Sequence, residues 1–528
     1  MLDIIKIKRA LISVSDKSGL LPLAQCLAEG GCEIISTGGT GKFLNEHNLE
    51  FTEINKITGN PEAFSGRMKT ISFQVESAIL FDREKDLKQA EVLGIKPIDL
   101  VVCNFYPFEQ HLNKGTDSDN LIENIDIGGP LMVRSAAKNF KFVTVLCNPA
   151  NYKAVIEELK LNNGGISIAT RKRLMASAFN VTADYDSIIA SEMDKLNGVE
   201  SLRLSFTGGK ELRYGENSHQ NAKIFREQKA DSSLYDIKVL NGIELSYNNI
   251  LDTNAAIESV LGLKKKGCVV IKHNNPCGMA EGDDPDLVLK LAWDGDNISA
   301  FGGIVAFNFP VSYSMVQFFN FDNPEKRERK FIEIIAAPGF SEEALEYLSR
   351  QKKLRIIAFN SALADNKMDM KYVNRSLLLQ TKDNQLYDEL KLVTKSDYDF
   401  RLNQDFVSFG LHAVKQVKSN SIVTVREMDG CFQLLGIGAG QPNRLNSIRL
   451  ALEKTAANLK DEGKDNMEGV ILFSDAFLPF EDNVELASKY GIKVIVQPGG
   501  SILDKQVIEK CDQLGLSMIF TGIRHFKH

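Results

Sequence analysis

The sequence predicts a mixed α/β protein whose N-terminal part is a parallel sheet wrapped by helices. Between residues 1 and 160, short apolar runs alternate with segments of helical spacing, and the chain ends in a second alternation of the same kind. Such alternation is typical of βαβ units. Hydrophobic residues make up 43% of the chain and charged residues 25%, which is ordinary for a globular protein. This composition excludes disordered, collagen-like and coiled-coil proteins.

The individual elements follow from the apolar pattern. In the N-terminal part the predicted strands are 10–15, 32–37, 97–108 and 142–149, and the predicted helices are 19–31, 41–48 and 169–196, the last as one helix or two. A further helix is expected to start at 135–138. The C-terminal part closes with predicted strands at 469–475, 493–498 and 516–522. Residues 197–212 carry glycines and have no helical period, so we expect two domains, 1–199 and 200–528.

Charge and apolar runs limit the possible partners. The chain has 63 basic and 69 acidic residues, a net charge of −6, and therefore lacks the basic surplus of a nucleic-acid binder. No run approaches the roughly 18 apolar residues of a membrane span, and we recognise no signal peptide. Eight cysteines are scattered without a disulfide framework, as expected for free thiols in a reducing cytoplasm. We expect neither nucleic acid nor a membrane as partner.

Two strand ends in the N-terminal part lead into helices through small polar residues. They are Ser15-Asp16-Lys17-Ser18-Gly19 and Thr37-Gly38-Gly39-Thr40-Gly41. Unpaired N–H groups at a helix N-terminus bind anions, and glycine lets the anion come close. Ordinary helix capping by Ser, Asp and Thr is the alternative. Ligands of parallel sheets lie beyond the carboxyl ends of the strands, so a phosphate site and capping both stay open.

Lysine, tyrosine and aspartate side chains near other strand ends could move protons at a ring-forming step. The candidates are Lys69, Tyr106, Asp126 and Lys138. Taken singly, each is also explained as a surface charge or a structural hydrogen-bonding group. The string GIGAG at 436–440 resembles a dinucleotide fingerprint but lacks its third glycine and downstream acid, so NAD is not expected.

The sharpest candidate is Lys272-His273, which follows the apolar strand 268–271. We predict that the following residues, 275–278, form a turn, which places both side chains at a strand exit where active sites form. Histidine, with an ordinary pKa of about 6.5, suits a general base near neutrality. The alternative is a histidine that bonds a turn carbonyl. Zinc deaminases carry Pro-Cys too, but their His-x-Glu and second cysteine are missing, so zinc hydrolysis is rejected.

Other candidate ligand contacts lie elsewhere in the C-terminal part. Arg213-Tyr214 and the run 299–303 could contact phosphate and a ring. The aromatic run 477–480 after a predicted strand is either exposed or part of the core. The basic end 524–528 is either a frayed tail or a segment that closes over an anionic ligand.

With these motifs in place, the chain resembles, over nearly its full length, the bifunctional purine biosynthesis enzymes that join AICAR transformylase to IMP cyclohydrolase. The matching strings, in order, are SVSDKSG, ISTGGT, GRMKT, NFYPF, ENIDIGG, RSAAKN, LRYGENSHQ, ELSYNNILD, KHNNPCG, SAFGGIVA, SNSI, GIGAGQ, SDAFLPFEDN and RHFKH. The resemblance implies a methylglyoxal-synthase-like N-terminal cyclohydrolase domain and a C-terminal transformylase region with a cytidine-deaminase-like fold lacking zinc. It also implies a homodimer whose transformylase site lies between subunits.

The resemblance further implies the last two steps of de novo purine biosynthesis. The 5-amino group of AICAR attacks the formyl carbon of 10-formyltetrahydrofolate to give FAICAR, which loses water and closes to IMP. His273 would be the base for the amine, and Lys272 would steady the oxyanion or protonate the departing folate nitrogen. Asn420 matches a third catalytic position. A structural potassium ion is a further candidate component.

The remaining site residues are also implied by the resemblance. The positions matching AICAR contacts are Arg213, Tyr214, Gly302, Glu333, Arg444 and Arg524, and those matching folate contacts are Leu445, Phe477, Asp482, Ser501 and Ile502. For ring closure, Lys138 is assigned proton transfer, with Lys69, Tyr106 and Asp126 at the other catalytic positions. The positions matching IMP and FAICAR contacts are Ser15, Asp16, Lys17, Thr37, Gly38, Gly39, Thr40, Arg67, Thr70, Cys103, Asn104 and Ile127.

The sequence departs from the family directly after Lys69-Thr70. The family usually has Leu-His-Pro there and a second histidine four residues after the first, whereas residues 71–78 have neither histidine and carry Glu76. Phe140 stands where another histidine is frequent. An alternative is therefore a transformylase whose N-terminal domain binds nucleotide but closes the ring poorly. A non-catalytic nucleotide sensor is the third hypothesis.

Overall fold

The computed structural model describes residues 3–61, 63–64, 67–113, 118–228, 230–365, 367–396 and 403–528. Contacts divide the chain into two compact units, Met1–Ser205 and Phe206–His528. The predicted boundary between residues 199 and 200 falls near the end of the first unit. Within the described ranges, no helix combines the length and apolarity needed to cross a membrane.

The N-terminal unit is built on a parallel sheet, as predicted. Its strands are β1 (Ile4–Lys6), β2 (Arg9–Val14), β3 (Glu33–Ser36), β4 (Thr52–Glu53), β5 (Leu100–Asn104), β6 (Thr144–Leu146) and β7 (Gly165–Ser167). Five of them form a parallel sheet in the order β4-β3-β2-β5-β6, while β1 pairs with β7. The helices are α1 (Leu20–Glu29), α2 (Gly38–Glu46), α3 (Asn55–Thr58), α4 (Phe73–Leu80), α5 (Leu87–Val92), α6 (Phe108–Asn113), α7 (Ser118–Glu123), α8 (Gly128–Lys138), α9 (Tyr152–Leu161) and α10 (Ile168–Leu196).

The central strands β2 and β5 carry the core of this unit. Leu11 and Val101 are fully buried, because helices cover both faces of a parallel sheet. Residues 169–196 lie in one helix, and Arg171 near its start is fully buried, with its guanidinium donating to the carbonyls of Phe140 (3.0 Å) and Lys141 (3.2 Å). These bonds tie α10 to the loop before β6.

Two N-terminal predictions need correction. The strand expected over 97–108 is shorter, since only Leu100–Asn104 pairs, and Pro107 beyond it lacks the N–H that a ladder needs. The run 135–138 does not start a helix. It is the last turn of α8, and Lys138 is its final residue, because the helix already begins at the two glycines of 128–129.

The C-terminal unit is built on a larger mixed sheet. Its strands are β8 (Phe206–Glu211), β9 (Lys223–Glu227), β10 (Lys238–Asn241), β11 (Lys266–Lys272), β12 (Asn275–Gly282), β13 (Gly303–Phe307), β14 (Ile332–Ala337), β15 (Arg355–Ala358), β16 (Met368–Val373), β17 (Ser376–Thr381), β18 (Lys391–Leu392), β19 (Ile422–Met428), β20 (Cys431–Gly438), β21 (Ile471–Ser474), β22 (Val494–Gln497) and β23 (Ser517–Phe520). The helices are α11 (Tyr247–Leu261), α12 (Pro285–Asp294), α13 (Tyr313–Gln317), α14 (Glu342–Ser349), α15 (Gln404–Lys415), α16 (Arg444–Asp461), α17 (Glu481–Lys489) and α18 (Asp504–Leu514).

Twelve of these strands form one sheet made of two similar halves. The order is β10-β15-β14-β13-β11-β12-β20-β19-β21-β22-β23-β18. Each half has an antiparallel hairpin, β11/β12 or β19/β20, followed by three parallel strands. The halves join where β12 pairs antiparallel with β20.

The turn predicted at 275–278 is wrong. β11 pairs with β12 from Lys272 opposite Asn275, so the turn is His273-Asn274 and the predicted turn residues begin β12. Both turn residues are left-handed, with φ of 53° and 59°, as a two-residue hairpin of type I′ requires. The Asn-Pro-Cys-Gly signal misled because a proline can occupy a strand where its nitrogen need not donate.

Close packing of helices on the sheet explains the glycines of β12 and β20. A Cβ on Gly278 would lie 1.7 Å from the Ala292 carbonyl oxygen of α12, and a Cβ on Gly438 would lie 1.9 Å from the Ser447 carbonyl oxygen of α16. The GIGAG string therefore serves helix packing against β20.

Gly278→Ala is expected to lower the melting temperature of the C-terminal unit by about 5 °C or more, because backbone must move to admit the methyl group. Gly339→Ala is the matched control, since its Cβ would meet nothing within 4 Å. Scanning calorimetry of the two variants checks this. Equal melting temperatures would contradict the packing described here.

Candidate active sites

The two N-terminal loops predicted to bind phosphate lie side by side at the carboxyl edge of the sheet. Asn104, at the end of β5, accepts the backbone N–H groups of Ser15 (2.7 Å) and Asp16 (2.9 Å) and donates to the Asp16 carbonyl (2.7 Å). Thr40 Oγ1 accepts the N–H of Val14 (3.0 Å). Asn104 and Thr40 therefore hold the first loop against β5 and α2.

Side-chain capping does not account for these loops. Thr37 is the N-cap of α2 but makes no capping hydrogen bond with its side chain. Gly19, with φ of 67°, is the N-cap of α1 and has no side chain to cap with. The first N–H groups of α2 are thus available to an anion.

Two ammonium groups lie against the start of α2. A Cβ on Gly38 would be 3.8 Å from Lys69 Nζ, and one on Gly39 would be 3.9 Å from Lys17 Nζ. Lys17 Nζ also donates to the Ser15 carbonyl at 3.3 Å. Together with the positive end of the helix dipole, these cations favour a multiply charged anion such as a phosphate monoester.

Asp126 lies at the start of α8, in the same region as Thr70. Its Oδ1 accepts the Gly129 N–H (2.8 Å), and its own N–H donates to the Tyr185 hydroxyl (2.8 Å). Burial raises the pKa of Asp126, although hydrogen bonds from backbone N–H groups oppose the shift. Thr70 Oγ1 is 3.0 Å from where a Cβ of Gly128 would start, so the segment after Lys69 approaches α8 closely.

The structure does not bring all the expected cyclohydrolase residues together. Lys138 is exposed at the far end of α8, about 15 Å along the helix axis from Gly128. Arg67 forms an ion pair with Glu123. Tyr106 and Ile127 are 49% and 65% exposed.

Cys103 of β5 lies close to Asp126 but is fully enclosed. Burial raises the pKa of the Cys103 thiol well above its ordinary value, and the charge of Asp126 acts in the same direction. This thiol is therefore protonated at neutral pH, and what it can offer a bound nucleotide is shape and a weak hydrogen bond.

The segment that departs from the family forms a regular helix. Ser72 caps α4 by accepting the Val75 N–H at 3.1 Å. Glu76 accepts a hydrogen bond from the Ser135 hydroxyl of α8 at 2.6 Å, and burial raises the pKa of this carboxyl. The substitution thus packs α4 against α8.

In the C-terminal unit, the catalytic candidates Lys272 and His273 lie at the tip of the β11/β12 hairpin. Lys272 Nζ donates to the Phe301 carbonyl at 2.7 Å. His273 is exposed, and among the described residues its imidazole bonds no carbonyl of the turn, which removes the structural alternative. The two side chains line a cavity of about 260 Å³ together with Cys277, Asp296 and Lys454.

Strand register places the other candidates along the same edge of the sheet. β11 runs antiparallel to β13, so the end of β11 meets the start of β13, where Gly302 lies, and the start of the parallel strand β14, which carries Glu333. Asn275 Oδ1 accepts the Lys418 N–H at 3.1 Å. This bond connects the hairpin to the segment before β19, which carries Asn420.

Asn420, Arg444 and Asp475 form one hydrogen-bonded group. Arg444 donates to Asn420 Oδ1 (2.7 Å) and to Asp475 Oδ1 (2.5 Å). Ser419 Oγ donates to Asp475 Oδ2 at 2.6 Å. Arg444 and Asp475 are nearly inaccessible, with side-chain exposures of 7% and 0%, so this ion pair fixes the asparagine amide.

The segment 524–528 is pinned to this group and is not frayed. The N–H of His525 donates to the Asp475 carbonyl (2.8 Å), and Ser419 and Lys527 exchange two hydrogen bonds of 3.0 Å. The His525 ring is 1% exposed, with Nδ1 2.7 Å from Asp383 Oδ2. These contacts carry Arg524, the AICAR candidate, to the carboxyl end of β23.

A second polar group lies around Glu333. Its carboxylate accepts from Asn249 Nδ2 at 3.2 Å and lies 3.8 Å from the Arg355 guanidinium. Burial lowers the pKa of Arg355, with the charge of Glu333 opposing this shift and that of Arg213 adding to it. Arg213 stacks on Tyr214, with its Cζ 4.9 Å from the ring centroid.

The folate candidates follow the carboxyl ends of the parallel strands in the second half. Phe477 and Asp482 come after β21, and Ser501 and Ile502 come after β22. Phe477 is half-buried, whereas Phe480 is 58% exposed and Ile502 is fully exposed. Leu445 is half-buried in the first turn of α16.

Sequence reasoning missed two residues of this site. Asp475 is an acid directly after an apolar strand, which is a signal for a functional residue. Asn275 was assigned to a turn, so its bond across to Lys418 was not foreseeable. Long-range partners of this kind depend on strand order.

These features describe an α/β protein with charged and polar candidate residues gathered at one edge of the sheet in each unit. A family model described as AICARFT/IMPCHase bienzyme matches residues 136–454, and a model described as MGS-like domain matches residues 19–131. The bifunctional purine biosynthesis protein PurH of Persephonella marina is 42% identical over 534 residues, covering 99% of this chain and 100% of that protein. The PurH protein of Clostridium botulinum is 43% identical over 524 residues, covering 99% and 100%.

The chain belongs to the AICARFT/IMPCHase bienzyme family. A solved structure entitled crystal structure of ForH is 33% identical, with a TM-score of 0.33, and covers 36% of this chain and 99% of that chain.

Asp126→Asn is expected to stabilise the N-terminal unit at neutral pH by a few degrees in melting temperature. A carboxyl whose pKa is raised by folding holds its proton more tightly when folded, so stability falls as pH rises from about 3.9, the ordinary Asp value, through the raised one. Asparagine keeps an oxygen for the Gly129 N–H and carries no charge. Melting curves at pH 4 and pH 7 measure the effect.

Asp82→Asn is the matched control with the opposite sign. A hydrogen bond from the Glu84 backbone N–H lowers the pKa of Asp82, so ionised Asp82 contributes stability that is lost as pH falls. A lower melting temperature for Asp126→Asn at pH 7 would contradict the burial argument.

Proposed function

We propose that the two sites divide the two activities of the family, with formyl transfer in the C-terminal unit and ring closure in the N-terminal unit. The protein is a bifunctional enzyme of purine biosynthesis, an AICAR formyltransferase and an IMP cyclohydrolase. One observation carries the assignment of formyl transfer. The His273 imidazole stands with the Lys272 ammonium on the wall of one cavity.

In formyl transfer, the 5-amino group of AICAR attacks the formyl carbon of 10-formyltetrahydrofolate. His273 removes the proton that the nitrogen must lose, since an aryl amine is a weak nucleophile. The Lys272 ammonium stabilises the oxygen that becomes negative, or protonates the departing folate nitrogen. Products are FAICAR and tetrahydrofolate, so the formyl group is transferred without oxidation or reduction.

The neighbouring groups orient the two substrates of this step. Asn420, held by Arg444, offers its amide next to the hairpin. Arg213 and Arg524 are cations suited to the phosphate and carboxamide of AICAR. Arg444, which matches an AICAR contact by resemblance, is nearly inaccessible in its pair with Asp475 and is assigned to hold Asn420. Leu445, Phe477, Asp482, Ser501 and Ile502 are assigned to the folate.

In ring closure, the carboxamide nitrogen of FAICAR bonds to the formyl carbon and one water leaves. The N-terminus of α2 binds the phosphate together with Lys17. Two observations support this assignment: the two loops are adjacent, and no side chain caps α2. Lys69, Tyr106 and Asp126 are assigned the proton transfers. The resemblance also implies a proton transfer by Lys138, but the position of this residue at the far end of α8 argues for an indirect role.

A homodimer with the transformylase site between subunits is part of the proposal. The β16/β17 hairpin forms a two-stranded sheet of its own, and one face of it carries four exposed large apolar side chains, Met370, Tyr372, Leu377 and Leu379. Isolated proteins rarely expose such a patch. Charges of this hairpin act on Lys418, two residues before Asn420, so a partner bound there would lie next to the site.

The enzyme is proposed to act in the cytoplasm, which agrees with eight free cysteines. A structural potassium ion is a further component of the proposal. Its ligands would be several converging oxygens from backbone carbonyls or side chains, and no residue is assigned to it.

A transformylase with an impaired cyclohydrolase is not supported by the family matches, which cover both units. Synthetic FAICAR tests this alternative directly, because ring closure is then measured without formyl transfer. Enzyme-dependent formation of IMP above the uncatalysed rate is expected. A rate equal to the uncatalysed one would overturn the assignment of ring closure.

His273→Ala is expected to lower kcat for FAICAR formation by about 10²–10⁴-fold, the usual contribution of a general base, while AICAR binding is mostly kept. The same preparation supplies the control, since IMP formation from FAICAR uses the other unit and should stay at the parental rate. Steady-state assays of both half-reactions measure the split. Unchanged formyl transfer would remove His273 from the mechanism.

A further inference from the structure

The turn that presents His273 needs support from outside the hairpin. His273 and Asn274 both have left-handed backbone angles, with φ of 53° and 59°. A residue with a Cβ adopts this region only at a steric cost. Because the turn has only two residues, neither can relax without changing the register of β12.

Asp252 on the second turn of α11 supplies that support. Its Oδ1 accepts the backbone N–H of Asn274 at 2.8 Å, and the backbone N–H of His273 also faces the carboxylate. One carboxylate thus accepts a hydrogen bond from Asn274 and faces the N–H of His273. No residue of the hairpin itself provides an equivalent acceptor for these groups among the described residues.

The charge of Asp252 also acts on the His273 imidazole. Burial raises the pKa of Asp252, whereas the two backbone hydrogen bonds and the positive charge of His273 lower it. Other charged groups near this turn are Glu333 on β14 and Lys272 on β11, together with Asp296 and Lys454, which line the same cavity as His273. Glu333 is paired with Arg355 (3.8 Å), and Lys272 Nζ points to the Phe301 carbonyl (2.7 Å).

We propose that Asp252 is the positioning residue of the formyl-transfer site, which fixes His273 through the backbone of its turn and stabilises the imidazolium that forms when His273 takes the proton. This inference rests on the proposed role of His273. The carboxylate lies near enough to interact with a positively charged His273, so Asp252 stabilises the cation that forms during the attack. The oriented turn aims the ring at the amine.

Asp252→Asn tests the proposal because asparagine keeps an oxygen for one N–H of the turn and removes the charge. We expect kcat for FAICAR formation to fall about tenfold, with KM for AICAR changed less than twofold. The pH profile of kcat should also change, because the charge that stabilises the imidazolium is removed. Asp252→Ala, which removes both acceptors, should lose more of kcat.

Asp284→Asn is the matched control. Asp284 also accepts two backbone N–H groups, those of Asp286 (3.0 Å) and Leu287 (3.2 Å), but it follows the opposite end of β12. This variant should keep the parental kcat and pH profile. A shift as large as that of Asp252→Asn would mean that the effect is not local, and would overturn the proposal.

The outcomes separate this inference from the proposed function. If the unaltered chain forms no FAICAR, the function fails and the inference falls with it. If the unaltered chain is active and Asp252→Asn keeps both kcat and pH profile, the inference alone is wrong. If Asp252→Asn loses AICAR binding together with turnover, Asp252 is a general structural residue and the positioning role is likewise overturned.

Discussion

The buried ion pair between Arg444 and Asp475 is the interaction on which the second half of the C-terminal site depends. Asp475 has no exposed surface and Arg444 almost none, so removing either would leave an unpaired charge in the interior, a loss of about 3–5 kcal/mol. Asp475 also accepts a hydrogen bond from Ser419, and Arg444 also donates one to Asn420. The amide of Asn420, which is proposed to take part in catalysis, and the segment 524–528 are therefore fixed by the same buried ion pair.

Strand register positions the remaining residues of the C-terminal site. The two hairpins of the twelve-stranded sheet meet through β12 and β20, so the tip of the first and the start of the second reach the same edge. The bond from Lys418 to Asn275 crosses this junction. In the N-terminal unit the strands are parallel, so their carboxyl ends share one edge. The proposed site residues therefore lie at one edge of the sheet in each unit.

Much of this arrangement could be predicted from the sequence. The βαβ alternation located β2, β3, β5 and β6, because fully buried parallel strands are continuous apolar runs. The exit of β11 was identified from the run before Lys272. The position of the turn was not, because Asn-Pro-Cys-Gly is a strong local turn signal and only the pairing with β11 overrides it. Lys138 was misplaced within its helix because small residues mark helix starts and helix interiors alike.

Contacts between residues distant in the chain were out of reach of local patterns. Asp475 is adjacent to a strand, but its partner Arg444 is on another element, and nothing in the spacing links them. Glu76 likewise bonds a residue that is distant in the chain. Its departure from the family pattern suggested only that the loop after Lys69 had a different shape. The structure instead has a capped helix, α4, with the carboxyl of Glu76 bonded to Ser135. Family patterns proposed which residues form the sites, whereas strand order decides which of them lie close together.

The shortness of the His273-Asn274 turn also constrains how this enzyme can evolve. Enzymes commonly acquire new specificities by lengthening the loops around a fixed sheet. One added residue here would either replace the two-residue turn by a three-residue loop of different direction or move the side chains of β12 to the opposite face of the sheet. Either change would displace His273, so point substitutions around this turn disturb the site less than insertions do.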